Sequence, residues 1–307
     1  MELASSFVLY SAAFVAIVQI GAPKPERSIT HLTLIAGFAS TLFWPLTSAL
    51  HDHMTWREVY LVFAALNLML CVPVHAWLFR LSGRTTEVRR QPSGISKPED
   101  AFTEPSARHR KAVFLLMLAG FAFSGFVLSA ILVHMVPLTA ALGLGTTGIL
   151  VSTLFGPAQV ASRLINILFG GRLSQAHLAV VAASLLFASL CVLLTTTPWV
   201  PGAFLFVILF GLGSGLISIV GGTLPLELFG RAGYGARVGW ASAARQLSSA
   251  FAPFAFALMM ARTHVTGALS LLALASAAGV AAFLVIAWLR RRRSRLLALP
   301  SYQTLSS

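Results

Sequence analysis

Acidic side chains are scarce in this chain, 9 against 22 Lys+Arg, and charged residues of both signs make up only 10% of its 307 positions. A soluble domain carries about 25%. That shortage excludes an ordinary solvated surface. It also leaves every long apolar segment without a pair of carboxylates, with no His pair at helical spacing for a metal and no nucleophile beside a base. An intramembrane enzyme is therefore not expected, and no cofactor or metal is called for. Cysteine is almost absent: Cys71 and Cys191 both sit in apolar stretches, where a thiol behaves as a small hydrophobe and implies no disulfide framework. A cleavable leader is not expected either. Met1-Glu2 lacks a basic start, and the first apolar stretch ends at Gly21 without an Ala-x-Ala site.

Apolar residues are abundant, at 57%. They fall into nine runs, approximately 3–20, 30–50, 59–79, 112–136, 147–169, 178–197, 202–224, 236–260 and 266–289. A hydrocarbon core about 30 Å thick takes ~20 helical residues to cross. The expected fold class is an all-α polytopic membrane protein with nine transmembrane helices. Between the third and fourth runs lies a charged stretch holding Pro92, Pro98 and Pro105 with few apolar residues. It cannot bury a core and is expected to be flexible.

The basic residues alternate by loop. Lys24 and Arg27, eight Lys/Arg from Arg80 to Lys111, Arg172, Arg231, Arg237, Arg290 to Arg293 and Arg295 fall on one side, 18 in all; Arg57 and Arg262 fall on the other. The positive-inside rule makes the first side cytoplasmic, with the C-terminus on it and Met1 outside. A net charge of +13 is thus explained by topology and calls for no nucleic-acid partner. The tail arginines are also placed to meet anionic headgroups.

Arg163 and Arg245 are left inside apolar runs. A central Arg costs about 2.5–3.5 kcal/mol on insertion scales, so such residues usually face a partner or a cavity. Arg163 shares a helix face with Gln159 (i, i+4) and Asn166 (i, i+3). Pro157 just before that stripe removes a backbone donor. Arg163 lies about 9 Å from its cytoplasmic end at ~1.5 Å per residue, close enough to snorkel, so cavity and snorkelling both stand. Arg245 is deeper, about 13 Å by the same rise, with Gln246, Ser248 and Ser249 beside it. A buried guanidinium without intramembrane acids suits an anionic substrate, since a carboxylate can accept two of its hydrogen bonds. His31, His75 and His134 lie near segment ends, where interfacial histidines are common; His134 is kept as a binding candidate. Gly211 and Gly215 form a small-xxx-small pair, for which close helix packing is expected.

An internal repeat organises the whole. Ser40-Thr41-Leu42-Phe43-Trp44-Pro45 recurs as Ser248-Ser249-Ala250-Phe251-Ala252-Pro253, and repeated helical halves are common in secondary transporters. Together with Gly37 to Leu46 before Trp56-Arg57, His134-Met135-Val136-Pro137 with Gly143, Gly156 to Arg163, Gly170 to Leu173, and Pro225 to Arg231 with Gly233-Tyr234-Gly235, it makes the chain resemble a bacterial major facilitator superfamily transporter. Several motifs resemble the monocarboxylate branch, whose eighth helix bears an acid and an Arg one turn apart; Gln159 stands in the acid's place. The resemblance implies a chain that begins just before the fourth helix, so that three helices are missing. Residues 1–79 would be the remnant of an N-terminal bundle, 80–111 a cytoplasmic linker, 112–289 a complete six-helix bundle and 290–307 a basic cytoplasmic tail. It implies an inner-membrane permease for a small, anionic organic solute, with proton coupling left open. Arg245, Arg163, Gln159, Asn166 and His134 are the candidate substrate contacts, and Arg172, Glu227, Arg231 and Arg237 the candidate gating or structural loop residues. Two alternatives remain: a nonfunctional fragment or late-start form of such a transporter, and a membrane receptor or scaffold.

Overall fold

The computed structural model describes residues 10–20, 23–85, 107–145, 147–170 and 173–297. Every regular element among them is helical. In chain order these are α1 (Tyr10–Gln19), α2 (Pro25–His51), α3 (Trp56–Leu66), a π-helical turn (Asn67–Cys71), α4 (Val72–Thr85), α5 (Ala107–Ala141), α6 (Thr147–Thr153), α7 (Phe155–Phe169), α8 (Gln175–Thr196), α9 (Val200–Phe229) and α10 (Tyr234–Leu297). Within the described residues the apolar runs of the sequence fall on helix, the run 147–169 as two pieces. Among the described residues five stretches are long and apolar enough to cross a bilayer: Trp56–Trp77, Arg108–Ala141, Gln175–Thr196, Val200–Phe229 and Tyr234–Arg292. The charged stretch between the third and fourth runs lies mostly outside the described residues, as does Arg172; the helices on either side of it extend inward as far as Thr85 and Ala107.

At 64 residues, α10 would be about 96 Å long, three times a hydrocarbon core. It is in fact two helices joined at His264, whose φ of 60° and ψ of 174° interrupt the helical path. The two halves lie against nearby positions of α5. Arg245 packs at Gly125, and the ring of Phe283 packs at Gly120, with its Cζ 2.6 Å from where a Cβ would stand. The chain therefore doubles back at His264. A second interruption separates α6 from α7 at Leu154, inside a run that the sequence shows as one crossing. Pro157 is the cause: it has no N–H for the Thr153 carbonyl, and its ring excludes that carbonyl from the preceding turn. At the far end α10 continues to Leu297, so Arg290 to Arg293 extend a helix and do not begin a free tail.

The chain divides into two compact units, residues 1–39 with 108–307, and residues 40–107. In the first, α5, α8, α9 and α10 enclose one core around Phe121, Phe206, Phe210, Phe256 and Phe283. Phe121 and Phe283 meet edge to face with centroids 5.6 Å apart. Lipid tails are as apolar as these side chains, so association depends on close packing more than on escape from water. Glycines supply the closeness. On α9, Gly211 and Gly215 lie against α7 at Ala158, Phe155, Ser162 and Gln159, while Gly213 turns to Ala182 and Leu186 of α8. A smaller cluster gathers Phe14 and Val18 of α1, Ile29 of α2, Leu226 of α9, and Tyr234 and Val238 of α10. Tyr234 is anchored there by its hydroxyl, which donates to the Gly222 carbonyl at 2.7 Å.

In the second unit, α3 opens at Thr55, whose N–H donates to the Glu58 carboxylate at 2.8 Å. Trp56 and Tyr60 meet edge to face, and the Arg57 guanidinium lies 5.2 Å from the centre of the Trp56 ring. Aromatic and cationic residues at a helix start suit the membrane–water boundary. Further along, Leu61, Leu68, Met69, Leu70, Val72, Val74 and Trp77 are exposed, the pattern of a helix whose solvent is hydrocarbon.

Candidate functional site

The seam between α7 and α9 holds a polar row within apolar helices. Gln159 donates from Nε2 to Ser214 Oγ at 2.9 Å, and one turn on, Arg163 donates from Nε to Ser218 Oγ at 3.2 Å. Ser214 and Ser218 repeat the i, i+4 spacing of Gln159 and Arg163, so two matching rows face each other. Between them Ser162 Oγ donates to the Gln159 carbonyl at 2.9 Å and Ser218 Oγ to the Gly215 carbonyl at 2.6 Å. The close approach at Gly211 and Gly215 is what lets side chains as short as serine span the gap.

Arg163 is only 2% exposed. Its Nη1 is fully buried and has no hydrogen-bond partner among the described residues. Unpaired buried donors of this kind are rare, and a guanidinium makes the deficit larger. Chemically the arrangement lacks one acceptor, and an anion would supply it. Asn166, expected on the same stripe, lies one turn further along it: its amide is over Gly170 at the end of α7, where the Gly170 N–H closes the helix on the Asn166 carbonyl.

Arg245 lies half-buried on the first half of α10. Its Cγ and carbonyl oxygen would stand 2.7 and 2.9 Å from a Cβ at Gly125. Two serine bonds fasten the same crossing, Ser129 Oγ to the Ser249 carbonyl at 2.7 Å and Ser249 Oγ to the Gly125 carbonyl at 3.1 Å. No hydrogen bond to the Arg245 guanidinium is found among the described residues. His134 is turned back on its own helix, with Nδ1 3.0 Å from the Ala130 carbonyl and its ring edge-on to Phe256.

The loop candidates assemble at helix ends. Glu227, in the last turn of α9, forms an ion pair with Arg290 and accepts the Gln175 N–H at the start of α8. That N–H belongs to a first helical turn that has no carbonyl partner of its own, and the helix dipole favours a carboxylate there. Thr223 adds a bond to Gln175 Oε1 at 2.7 Å. Arg237 caps the other side of α9, donating to the Phe229 and Ala232 carbonyls at 3.1 and 2.5 Å. Gly230, at φ +70°, makes the turn between them, a conformation that glycine adopts without strain. Arg231 is exposed in that turn. Ser214, Ser218 and Gln175 are not marked as site residues by the sequence, and Arg290, read there as part of the basic tail, is instead paired with Glu227. The i, i+4 serines beside Gly211 and Gly215 were the available signal for two of them.

Apolar helices of bilayer length, packed through glycines around a sparse polar seam, define a polytopic helical membrane protein. The Major Facilitator Superfamily profile matches residues 4–253, and the chain belongs to that family. It is accordingly a membrane transporter with a small-molecule substrate and the lipid bilayer as its surroundings. No curated protein matches the chain.

Proposed function

We propose that the chain serves the secondary transport of a small organic anion, and that Arg163 is the residue that meets its carboxylate. The observation supporting this reading is the buried, unbonded Nη1. Burial of a guanidinium is costly in a membrane, and Ser218 satisfies one of its five donors. A carboxylate offers two oxygens to the planar fork and carries the compensating charge. Gln159, where the monocarboxylate branch has an acid, adds a neutral amide beside it, so proton coupling through this position is not part of the reading. Arg245 is proposed as a second basic contact. The 112–289 bundle, the 80–111 linker and a cytoplasmic C-terminus in an inner membrane complete the proposal, supported by the 18 to 2 distribution of basic residues.

A structural reading rests on the Ser218 bond, which makes Arg163 a strut between α7 and α9. Thermal unfolding of the purified protein in detergent separates the two. Acetate, lactate and pyruvate are expected to raise the unfolding temperature of the wild type and to leave Arg163→Ala unmoved. A strut predicts that Arg163→Ala lowers the baseline while the three carboxylates shift neither protein.

A further inference from the structure

Gly37 of α2 faces the Arg163 guanidinium. A Cβ built on Gly37 would overlap Nη1 and stand 3.1 Å from Cζ and 3.5 Å from Cδ. The overlap is with the rigid end of a side chain whose Nε is already held by Ser218. It is also with the one buried nitrogen of that side chain that has no hydrogen-bond partner among the described residues. The position of α2 is fixed independently. Ile29, eight residues earlier and so about 12 Å along the helix, is wholly buried in the cluster with Phe14 and Tyr234. Its Cγ2 lies 3.0 Å from where a Cβ at Gly222 would stand.

We propose that Gly37 is a positioning residue for Arg163: because it has no side chain, α2 can lie over the guanidinium and cover it, and any larger residue at 37 leaves Arg163 uncovered. The proposal rests on the reading of Arg163 as the anion's partner for its functional meaning, though not for its geometry. The covered state is unfavourable to the guanidinium, because Gly37 presents no acceptor to Nη1. An anion that reaches Nη1 must take the place Gly37 occupies. Glycine and ligand are thus alternative neighbours of the same nitrogen, and the size of residue 37 sets the balance between them.

The test uses the full chain in detergent and the arginine-selective reagent phenylglyoxal, with modification at each site read by peptide mass mapping. Exposed Arg57 serves as the internal reference. In the wild type Arg163 is expected to react far more slowly than Arg57. Gly37→Ala should raise the Arg163 rate several-fold and leave Arg57 unchanged. Thermal unfolding gives the second readout: Gly37→Ala should be destabilising with Arg163 present and neutral in an Arg163→Ala background, where the methyl has nothing to meet. A Gly37→Ala protein that fails to fold only when Arg163 is present supports the proposal. Equal Arg163 rates in wild type and Gly37→Ala would overturn it, as would an equal stability loss, or failure to fold, in both backgrounds. Sodium acetate, compared with sodium chloride at the same ionic strength, should slow the reaction of Arg163 in Gly37→Ala. Lack of protection by acetate would count against the anion reading alone and leave the steric role of Gly37 standing.

Discussion

Glu227 ties Arg290 to the first turn of α8: one carboxylate oxygen pairs with the guanidinium and the other accepts the Gln175 N–H. Three helices meet at this one side chain. Glu227→Gln keeps an acceptor for Gln175 but removes the charge, and is expected to cost about 1–2 kcal/mol, whereas Glu227→Leu also strands the N–H and should cost more. In a double-mutant cycle with Arg290→Gln, thermal unfolding should show that the two losses do not add. Strict additivity would mean that the pair contributes nothing.

The α7–α9 seam gives a second prediction. A methyl at Gly211 would stand 2.7 Å from Ala158 Cβ and 2.8 Å from the Phe155 carbonyl oxygen, while at Gly221 it would meet nothing within 4 Å. Gly211→Ala is expected to destabilise by ~1–3 kcal/mol through overpacking, and Gly221→Ala to be neutral or slightly stabilising, since alanine is the better helix former. Unfolding midpoints of the two variants, measured side by side, check the contrast.

Membrane orientation is tested by cysteine accessibility in a background with Cys71 and Cys191 replaced by serine. Ser294→Cys should react with an impermeant maleimide only after the membrane is permeabilised, and Thr196→Cys from the outside of intact cells. Reaction of Ser294→Cys in intact cells would reverse the orientation drawn from the basic loops.

Arg245 allows a test of chemistry at constant charge. Arg245→Lys should fold and insert like the wild type yet weaken the thermal response to carboxylates, because an ammonium cannot reproduce the two-pronged contact of a guanidinium. Arg245→Ala should weaken it further. If both variants respond as strongly as the wild type per folded molecule, Arg245 serves the α5–α10 crossing and not the ligand.

Much of the helix pattern was legible because bilayer length and apolarity leave a mark on composition that needs no knowledge of neighbours. Where hydrogen bonding and hydropathy part company, the sequence was less informative. Arginine is a good helix former, so α10 runs on through Arg290 to Arg293 after apolarity has ended at Leu289. Pro157 was visible as a missing donor, but the break falls before it at Leu154, on the side of the carbonyl it displaces. The spacing of Gln159 and Arg163 brings both to α9, while Asn166, further along the same stripe, reaches Gly170 at the helix end. Ser214, Ser218 and Gly37 acquire meaning only once helices distant in sequence lie side by side.

The joint at His264 has no slack. One residue connects the two halves of α10, and each half is seated on α5, at Gly125 through Arg245 and at Gly120 through Phe283. Adding a single residue at 264 would turn the following helix about 100° on its own axis and advance it by ~1.5 Å if the joint kept its shape. That rotation would carry Phe283 away from Gly120 and Arg290 away from Glu227 together. The connection should accept a change of side chain, glycine above all at so unusual a backbone conformation, while an insertion there disengages a whole helix. Its length acts as a phase setting for everything that follows it.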